Sequence, residues 1–251
     1  MFNLSVVVPA YNESARIGAS IVNIMTYLRS QPISYEVIVV DDGSDDDTLA
    51  VLRQLAKDWR RLQVVNIPHG GKGAAVRAGM LLARGELRLL CDADLSTPIA
   101  EVRRLREELI SARADIAIAS RALPQSRVLV PAPKRRVLMG KAYNRLVRAL
   151  LLPDLRDTQC GFKLFTDSAA VLCFAGLSCQ GFGFDVEALS VAHRHGLGIV
   201  EVPSVWRDVS GSHVSSVRDS LVMLLGLFRV RWNLYGLRSI RLRRHAAWQS
   251  P

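Results

Sequence analysis

The chain has no apolar run that approaches the roughly 18 consecutive residues needed to cross a bilayer. Its amino terminus carries no basic segment followed by a long apolar stretch, so no secretory leader is expected. The cysteines Cys91, Cys160, Cys173 and Cys179 are scattered and form no Cys-x-x-Cys pair. That pattern speaks against disulfides and thiolate metal sites, and for small buried residues in a reducing compartment. Internal repeats, low-complexity tracts and a Pro/Gly-rich linker are missing too. With 251 residues, 49% of them hydrophobic, the chain is expected to build one large domain that stays in the cytoplasm.

Acidic residues are missing from one long stretch. Between Arg121 and Leu152 there is no Asp or Glu, while Arg121, Arg127, Lys134, Arg135, Arg136, Lys141, Arg145 and Arg148 all fall there. After Asp219 the pattern returns with Arg229, Arg231, Arg238, Arg241, Arg243 and Arg244. The formal charge of +10 is therefore concentrated in the second half. Such a half faces an anion: a phosphorylated acceptor, an anionic membrane surface or nucleic acid. Leu123 to Pro133, with three prolines, reads as a surface loop, either inert or a flap over a site.

What is present in the first half is a strand–helix alternation. Leu4 to Pro9, Glu36 to Val40, Leu62 to Ile67 and Leu87 to Cys91 are short apolar runs that stop at polar or turn residues, as buried parallel strands do. Ile17, Ile21, Ile24, Met25 and Leu28 repeat at helical spacing, as do Leu49, Leu52, Leu55, Ala56 and Trp59. Gly73 to Ala83 and Pro98 to Ser111 read as further helices, the latter with Pro near its start. The alternation predicts an open, mostly parallel α/β sheet flanked by helices, binding its ligand at the strands' carboxyl ends. Asn12, Glu13, Asp41, Asp42, Asp92 and Asp94 fall at such ends.

Asp92-Ala93-Asp94 closes the run Leu87 to Cys91. Alternate residues of a strand share a side, so both carboxylates can converge on one hard cation. Mg²⁺ takes one or two carboxylates and completes its shell with phosphate oxygens and water, which points to a diphosphate ligand. Gly70-Gly71-Lys72-Gly73 is not a P-loop, because Gly73 rather than Ser or Thr follows the lysine. Lys72 is either a donor-side cation at a helix start or part of plain turn chemistry. Asp185 is either near the reacting carbon or a carboxylate facing a helix dipole. Lys163 is read as a surface lysine. Leu221 to Phe228, followed by Arg229, Trp232 and Tyr235, is either a core helix or one lying in a membrane interface.

Asp41-Asp42-Gly43-Ser44, Asp92-Ala93-Asp94, His69 to Arg77 and Asp157-Thr158-Gln159-Cys160-Gly161-Phe162-Lys163-Leu164-Phe165 together resemble glycosyltransferase family 2. The Asp157 to Phe165 segment points, within it, to the branch that glucosylates polyprenyl (dolichyl) phosphates. The likeness runs from about Leu4 to about Gly236. It implies a GT-A fold over residues 1–215, a membrane-association segment over 216–251, and inverting transfer of a hexose from a nucleotide sugar, UDP-glucose above all, to a lipid phosphate. It further implies that Pro9, Tyr11, Glu13 and Asp41 line the nucleotide pocket; Asp42 and, on the donor reading given above, Lys72 are the further candidates on that side. Asp92 would meet the ribose or diphosphate, and Asp92 with Asp94 would ligate Mg²⁺ or Mn²⁺. Arg121, and Arg135 and Arg136 within the Lys134-Arg135-Arg136 run, would hold the acceptor phosphate; apart from the resemblance, Asp157 is a candidate to orient an arginine of that clamp or the sugar. Ser96 stands where mannosyl relatives commonly carry a glutamine, so an amide that could assist the metal is missing.

The chemistry is consistent with that implication. A phosphate acceptor is already anionic and needs positioning and desolvation rather than a base. A hydroxyl acceptor, soluble or polysaccharide, would need one, and Asp185 is the nominee; GDP-mannose is the alternative donor. A receiver-like regulator whose basic half binds DNA is disfavoured. The acidic pair of a receiver closes the first strand, whereas Asp41-Asp42 follows the second. Nucleic acid is not expected as a partner. The protein is expected on the cytoplasmic face of a membrane, attached without a span.

Overall fold

The structure, a computed structural model, describes residues 2–209 and 218–235. Strands β1 (Phe2–Ala10), β2 (Tyr35–Asp41), β3 (Leu62–Asn66) and β4 (Gly85–Cys91) alternate with helices α1 (Ile17–Arg29), α2 (Thr48–Asp58) and α3 (Lys72–Leu82). Helix α4 (Glu101–Ser111), strands β5 (Ile116–Ser120) and β6 (Arg127–Val130) and helix α5 (Lys134–Leu150) follow. The chain continues through β7 (Phe162–Thr166), α6 (Asp167–Ala175), α7 (Phe184–Arg194), β8 (Ile199–Pro203), β9 (Val205–Arg207) and α8 (Arg218–Tyr235).

Seven strands form one sheet in the order β3-β2-β1-β4-β7-β5-β8. All pairings are parallel except those of β7, which runs antiparallel to β4 and β5. The sheet is covered on both faces, so β2 is buried at every position. Side chains alternate accordingly. Val6, Val8, Val37, Val39 and Leu89 pack under α1 and α4, while Val7, Ile38, Val40 and Leu90 pack with residues of α3, α6 and α7 on the other face. The α1 residues Ile17, Ile21, Ile24, Met25 and Leu28, spaced three to four apart, are all buried. This is the expected open α/β sheet, and the fold is GT-A.

Three expectations change. The Leu123 to Pro133 loop contains β6, whose four residues are exposed and which pairs in parallel with β9. Asp208 N donates to Val130 O at 2.9 Å within this ribbon, and Arg207 N, donating to Ser96 O at 2.9 Å, ties it to the loop after β4. Lys163 is not on the surface. It sits in β7, paired with Leu90 of β4 and Ile118 of β5, and is 1% exposed. Finally, α8 has one buried side and one exposed apolar side. Leu227 and Val230 are buried against the body, whereas Leu225, Phe228, Trp232 and Tyr235 are exposed.

The cysteines Cys91, Cys160 and Cys173 are free and buried, and Cys179 is free and half-buried. Among the described residues, no helix is long and apolar enough to cross a membrane. The basic tail after Tyr235, and the boundary expected near residue 215, lie outside the described residues.

Candidate active site

The carboxyl ends of β1, β2, β4 and β5 open at one sheet edge, and the segment leading into antiparallel β7 enters there too, since Phe162 pairs with Cys91. Asp92 is the hub. Lys72, at the start of α3, donates from Nζ to Asp92 Oδ1 at 2.6 Å. Burial opposes the charge on Lys72, but Asp92, Asp185 and Asp94 outweigh it and raise its pKa. Phe182 lies against the same ammonium, with Nζ 5.8 Å from the ring centre. The backbone of Gly161 presses on the other oxygen of Asp92. A Cβ added there would lie 1.8 Å from Oδ2, so only glycine leaves room for this carboxylate. Asp94 is half-buried and accepts from Ser96 N at 2.9 Å, which fixes the turn after β4.

On the β1–β2 side, Tyr11 stacks on His69 with ring centres 4.3 Å apart. Pro9 is buried in β1 beneath them. Asp41 is fully buried and accepts from Asn66 Nδ2 at 2.7 Å, from Ser44 N at 3.3 Å and from Ser44 Oγ. Asp42 accepts from Gly70 N and Gly71 N, each at 2.8 Å, and lies 3.0 Å from His69 Nδ1. The glycine N–H groups that could have gripped a phosphate thus hold an internal carboxylate, and Asp42 shapes the loop that delivers Lys72. Gly71, at φ 91°, passes so close to Gln180 O that a Cβ would sit 2.6 Å from it. Glu13 pairs with Arg16, which the sequence reading missed. That bond, and the charges of Asp94 and Asp92, raise the arginine's pKa against its burial.

On the β5–β7 side, Asp157 and Arg121 form a forked pair. Nε donates to Oδ2 at 2.7 Å and Nη2 to Oδ1 at 2.8 Å, while Arg121 N adds a third bond at 2.9 Å. Burial opposes ionisation of Asp157, but the guanidinium prevails and lowers its pKa. The Arg121 guanidinium also lies over Trp206, 5.3 Å from the ring centre. Arg136 pairs with Asp208 beside the β6–β9 ribbon, while Arg135 is exposed in the first turn of α5. The acid-free stretch is therefore partly neutralised by carboxylates that follow it in sequence.

Asp185 stands in the first turn of α7, so the helix-start reading holds, and it is buried. Its partner is Lys163, which donates to Asp185 Oδ1 and, at 2.6 Å, to Cys160 O. Burial raises the Asp185 pKa, with Lys163 and Lys72 opposing. Lys163 was read as a surface lysine because a lysine in an otherwise apolar strand gives no local sign of a carboxylate 22 positions away. Arg16, His69, Trp206 and Asp208 escaped for the same reason. Only His69 stood in a segment the sequence had marked.

Two carboxylates with free oxygens suit a divalent cation, and one or two suffice for Mg²⁺ when phosphates complete the shell. Among the described residues no third His, Cys, Asp or Glu converges with them. The chain's residues thus fit a metal–diphosphate unit rather than an all-protein cage.

The comparisons agree with this layout. Residues 5–171 match the model for glycosyl transferase family 2. The chain is 34% identical over 253 residues to dolichyl-phosphate beta-glucosyltransferase ALG5A of Trichomonas vaginalis, covering 96% of this chain and 77% of that one. It is 36% identical to the human dolichyl-phosphate beta-glucosyltransferase over 222 residues, with coverages of 83% and 68%. Glucosyl-3-phosphoglycerate synthase of Mycobacterium tuberculosis, crystallised with Mn²⁺, UDP-glucose and phosphoglyceric acid, superposes with a TM-score of 0.70 at 22% identity, over 92% of this chain and 80% of that one. That last likeness is one of fold. The chain belongs to glycosyltransferase family 2.

Proposed function

We propose that this glycosyltransferase moves glucose from UDP-glucose to a polyprenyl (dolichyl) phosphate, with inversion at the sugar carbon. One observation carries the reading: the Asp92–Lys72 pair and Asp94 share a sheet edge with the Arg121–Asp157 fork. A donor diphosphate and an acceptor phosphate would each meet its own set of groups there. The relatives named for glucosyl transfer to dolichyl phosphate supply the sugar and the lipid.

In this reading the Tyr11–His69 stack offers an aromatic face to the base. Asp41 keeps one of a carboxylate's roughly four acceptor positions for the uracil N3–H. Asp92 and Asp94 would hold Mg²⁺ or Mn²⁺, and such an ion, when bound, stabilises the charge that develops on the leaving diphosphate. Lys72 lies within reach of the same anion. Arg121, locked by Asp157 and Trp206, presents its remaining Nη1 hydrogens to the acceptor, and a fixed fork suits phosphate better than a flexible ammonium does. Arg135 and Arg136 complete the clamp. No base is needed, because the acceptor oxygen is already anionic.

A second reading rests on the raised pKa of Asp185. A carboxylate with increased proton affinity suits a general base for a hydroxyl acceptor. Washed membranes bearing the protein, offered UDP-glucose, UDP-GlcNAc, UDP-galactose and GDP-mannose in turn, separate the possibilities. Label from UDP-glucose should enter the organic phase as a lipid product. Label that stays water-soluble would support the hydroxyl reading, and preference for GDP-mannose would replace the donor.

The same proposal places the protein on the cytoplasmic face of a membrane. Residues 216–251 would serve the surface, with Leu225, Phe228 and Trp232 of α8 facing lipid. The division from residues 1–215 is one of function, since Leu227 and Val230 are buried in the common body.

A further inference from the structure

One side of α5 lines an open depression of about 280 Å³ with Lys141, Asn144, Arg145 and Arg148, closed off by Ala122 and Arg156, which neighbour Arg121 and Asp157 in the chain. Its four charged lining residues are all cationic. Two of the lining side chains are already oriented. Arg148 Nε donates to Pro153 O at 3.2 Å, which leaves its terminal N–H groups for a ligand. Asn144 Oδ1 accepts from Thr158 Oγ1 at 3.2 Å, so its amide nitrogen remains a donor. Of the nearby carboxylates, Asp157 holds Arg121 and Glu201 accepts from Arg156 N and Asp157 N at 2.8 and 2.9 Å, while Asp154, beside Pro153, is exposed at the rim. Such a set of donors matches a phosphate or phosphodiester.

The surroundings decide which source of phosphate fits. Leu138, Lys141, Arg145 and Arg148 follow one another three or four residues apart, so they form a single stripe on α5. Leu138, at the head of that stripe, is 67% exposed. Helix α8 packs against α5, with Arg231 Nη1 donating to Leu150 O at 2.5 Å, and it exposes Phe228 and Trp232. A free phosphate has no use for an apolar residue such as Leu138 on the stripe that lines its site; a phospholipid does.

We infer that this cavity binds the headgroup phosphate of an anionic membrane phospholipid, separately from the acceptor clamp, with Leu138 and the exposed face of α8 entering the acyl boundary. The inference rests on the membrane attachment proposed above and is independent of the sugar donor.

The test is flotation of the full chain with vesicles of phosphatidylcholine alone or doped with phosphatidylglycerol. Arg145→Gln/Arg148→Gln should lower partitioning onto the doped vesicles roughly 30-fold at low salt, at about 1 kcal/mol for each basic residue. Lys141→Gln/Arg145→Gln, which spares the Arg148–Pro153 bond, should do the same. The charge-matched control is Arg104→Gln/Arg106→Gln on α4, across the sheet, and should stay within about threefold of the parent. Equal losses in all three would reduce the effect to diffuse charge and overturn the site, as would cavity variants that float like the parent. Inorganic phosphate binding by calorimetry that the cavity variants abolish, with flotation untouched, would make the ligand a soluble phosphate and overturn the lipid assignment. UDP titration separates this from the proposed function. The cavity variants should bind UDP normally, whereas a parent chain that fails to bind UDP strikes the donor reading and leaves the cavity standing.

Discussion

Replacing Lys163 with methionine would remove the cation from a pair sealed within the sheet. Its partner Asp185 is 6% exposed, and Cys160 O would lose its donor as well. Breaking one half of a buried ion pair typically costs about 3–5 kcal/mol, because the remaining charge cannot return to water. Methionine has similar length and would fill the space, so the loss would be electrostatic. The penalty should depend on pH. Burial already raises the Asp185 pKa in the folded chain, and removing Lys163 raises it further. A folded-state carboxyl that binds its proton more tightly than the unfolded one favours the fold when protonated. The stabilisation is therefore complete at low pH and declines as pH climbs from about 4, the unfolded aspartate value, through the raised folded value.

Urea denaturation of parent and Lys163→Met at pH 5 and pH 8 measures this. The variant should be about 3–5 kcal/mol less stable at pH 8 and should recover part of that at pH 5. Lys163→Met/Asp185→Leu should restore most of the stability at both, since an apolar pair of similar volume replaces a buried ion pair at little cost. A single variant within about 1 kcal/mol of the parent at pH 8, or a loss unchanged between the two pH values, would refute the reasoning.

Gly161→Ala places a methyl where Asp92 Oδ2 now lies; displacing that carboxylate by about 1 Å should lower kcat/KM on the order of 100-fold, with a urea midpoint close to the parent's. Asp94→Asn keeps volume and removes ligand charge, so transfer should be abolished while circular dichroism is unchanged, and full turnover in excess EDTA would reject the metal role. Arg136→Ala removes a charge-assisted contact worth about 1.5–3 kcal/mol, a loss of roughly 10- to 150-fold in efficiency with the lipid phosphate; equal weakening of UDP binding by calorimetry would put Arg136 on the donor side.

The strand–helix order from Leu4 to Ser111 was legible because buried strands and amphipathic helices write their periods into contiguous sequence. So was the clustering of Asp41, Asp92 and Asp94, which follows from strand ends sharing one edge. Pairings across the fold were not legible. Nothing local in Phe162-Lys163-Leu164 says that β7 runs antiparallel between β4 and β5, or that the lysine meets Asp185. Likewise the acid-free stretch looks unpaired along the chain, yet Arg121 and Arg136 find Asp157 and Asp208, 36 and 72 residues on. The exposed strand β6 was hidden by its prolines, which flank its four residues, three of them paired with β9, and do not interrupt them.

The charges at the catalytic edge favour a divalent ion beside a donor diphosphate. Glu13, Asp92, Asp94 and Asp185 face Arg16, Lys72 and Lys163, while Arg121 and Asp157 cancel each other. Fully ionised, these groups carry one more carboxylate than cations, and Asp41 and Asp42 on the β2 side add two more. A nucleoside diphosphate would add further negative charge to an edge that is already net negative, and Lys72 cannot offset it while it is committed to Asp92. Asp92 and Asp94 would hold a divalent ion, whose charge would offset that of the diphosphate, with Lys72 beside them as a further cation. UDP binding, and not only turnover, should therefore depend on Mn²⁺ or Mg²⁺. Lys72→Met should deepen that dependence, because it adds one more unit of unbalanced negative charge at Asp92. Calorimetry of UDP with the parent and Lys72→Met, each in EDTA and in Mn²⁺, decides it: equal affinity with and without the ion in both proteins would show that the edge does not set the requirement.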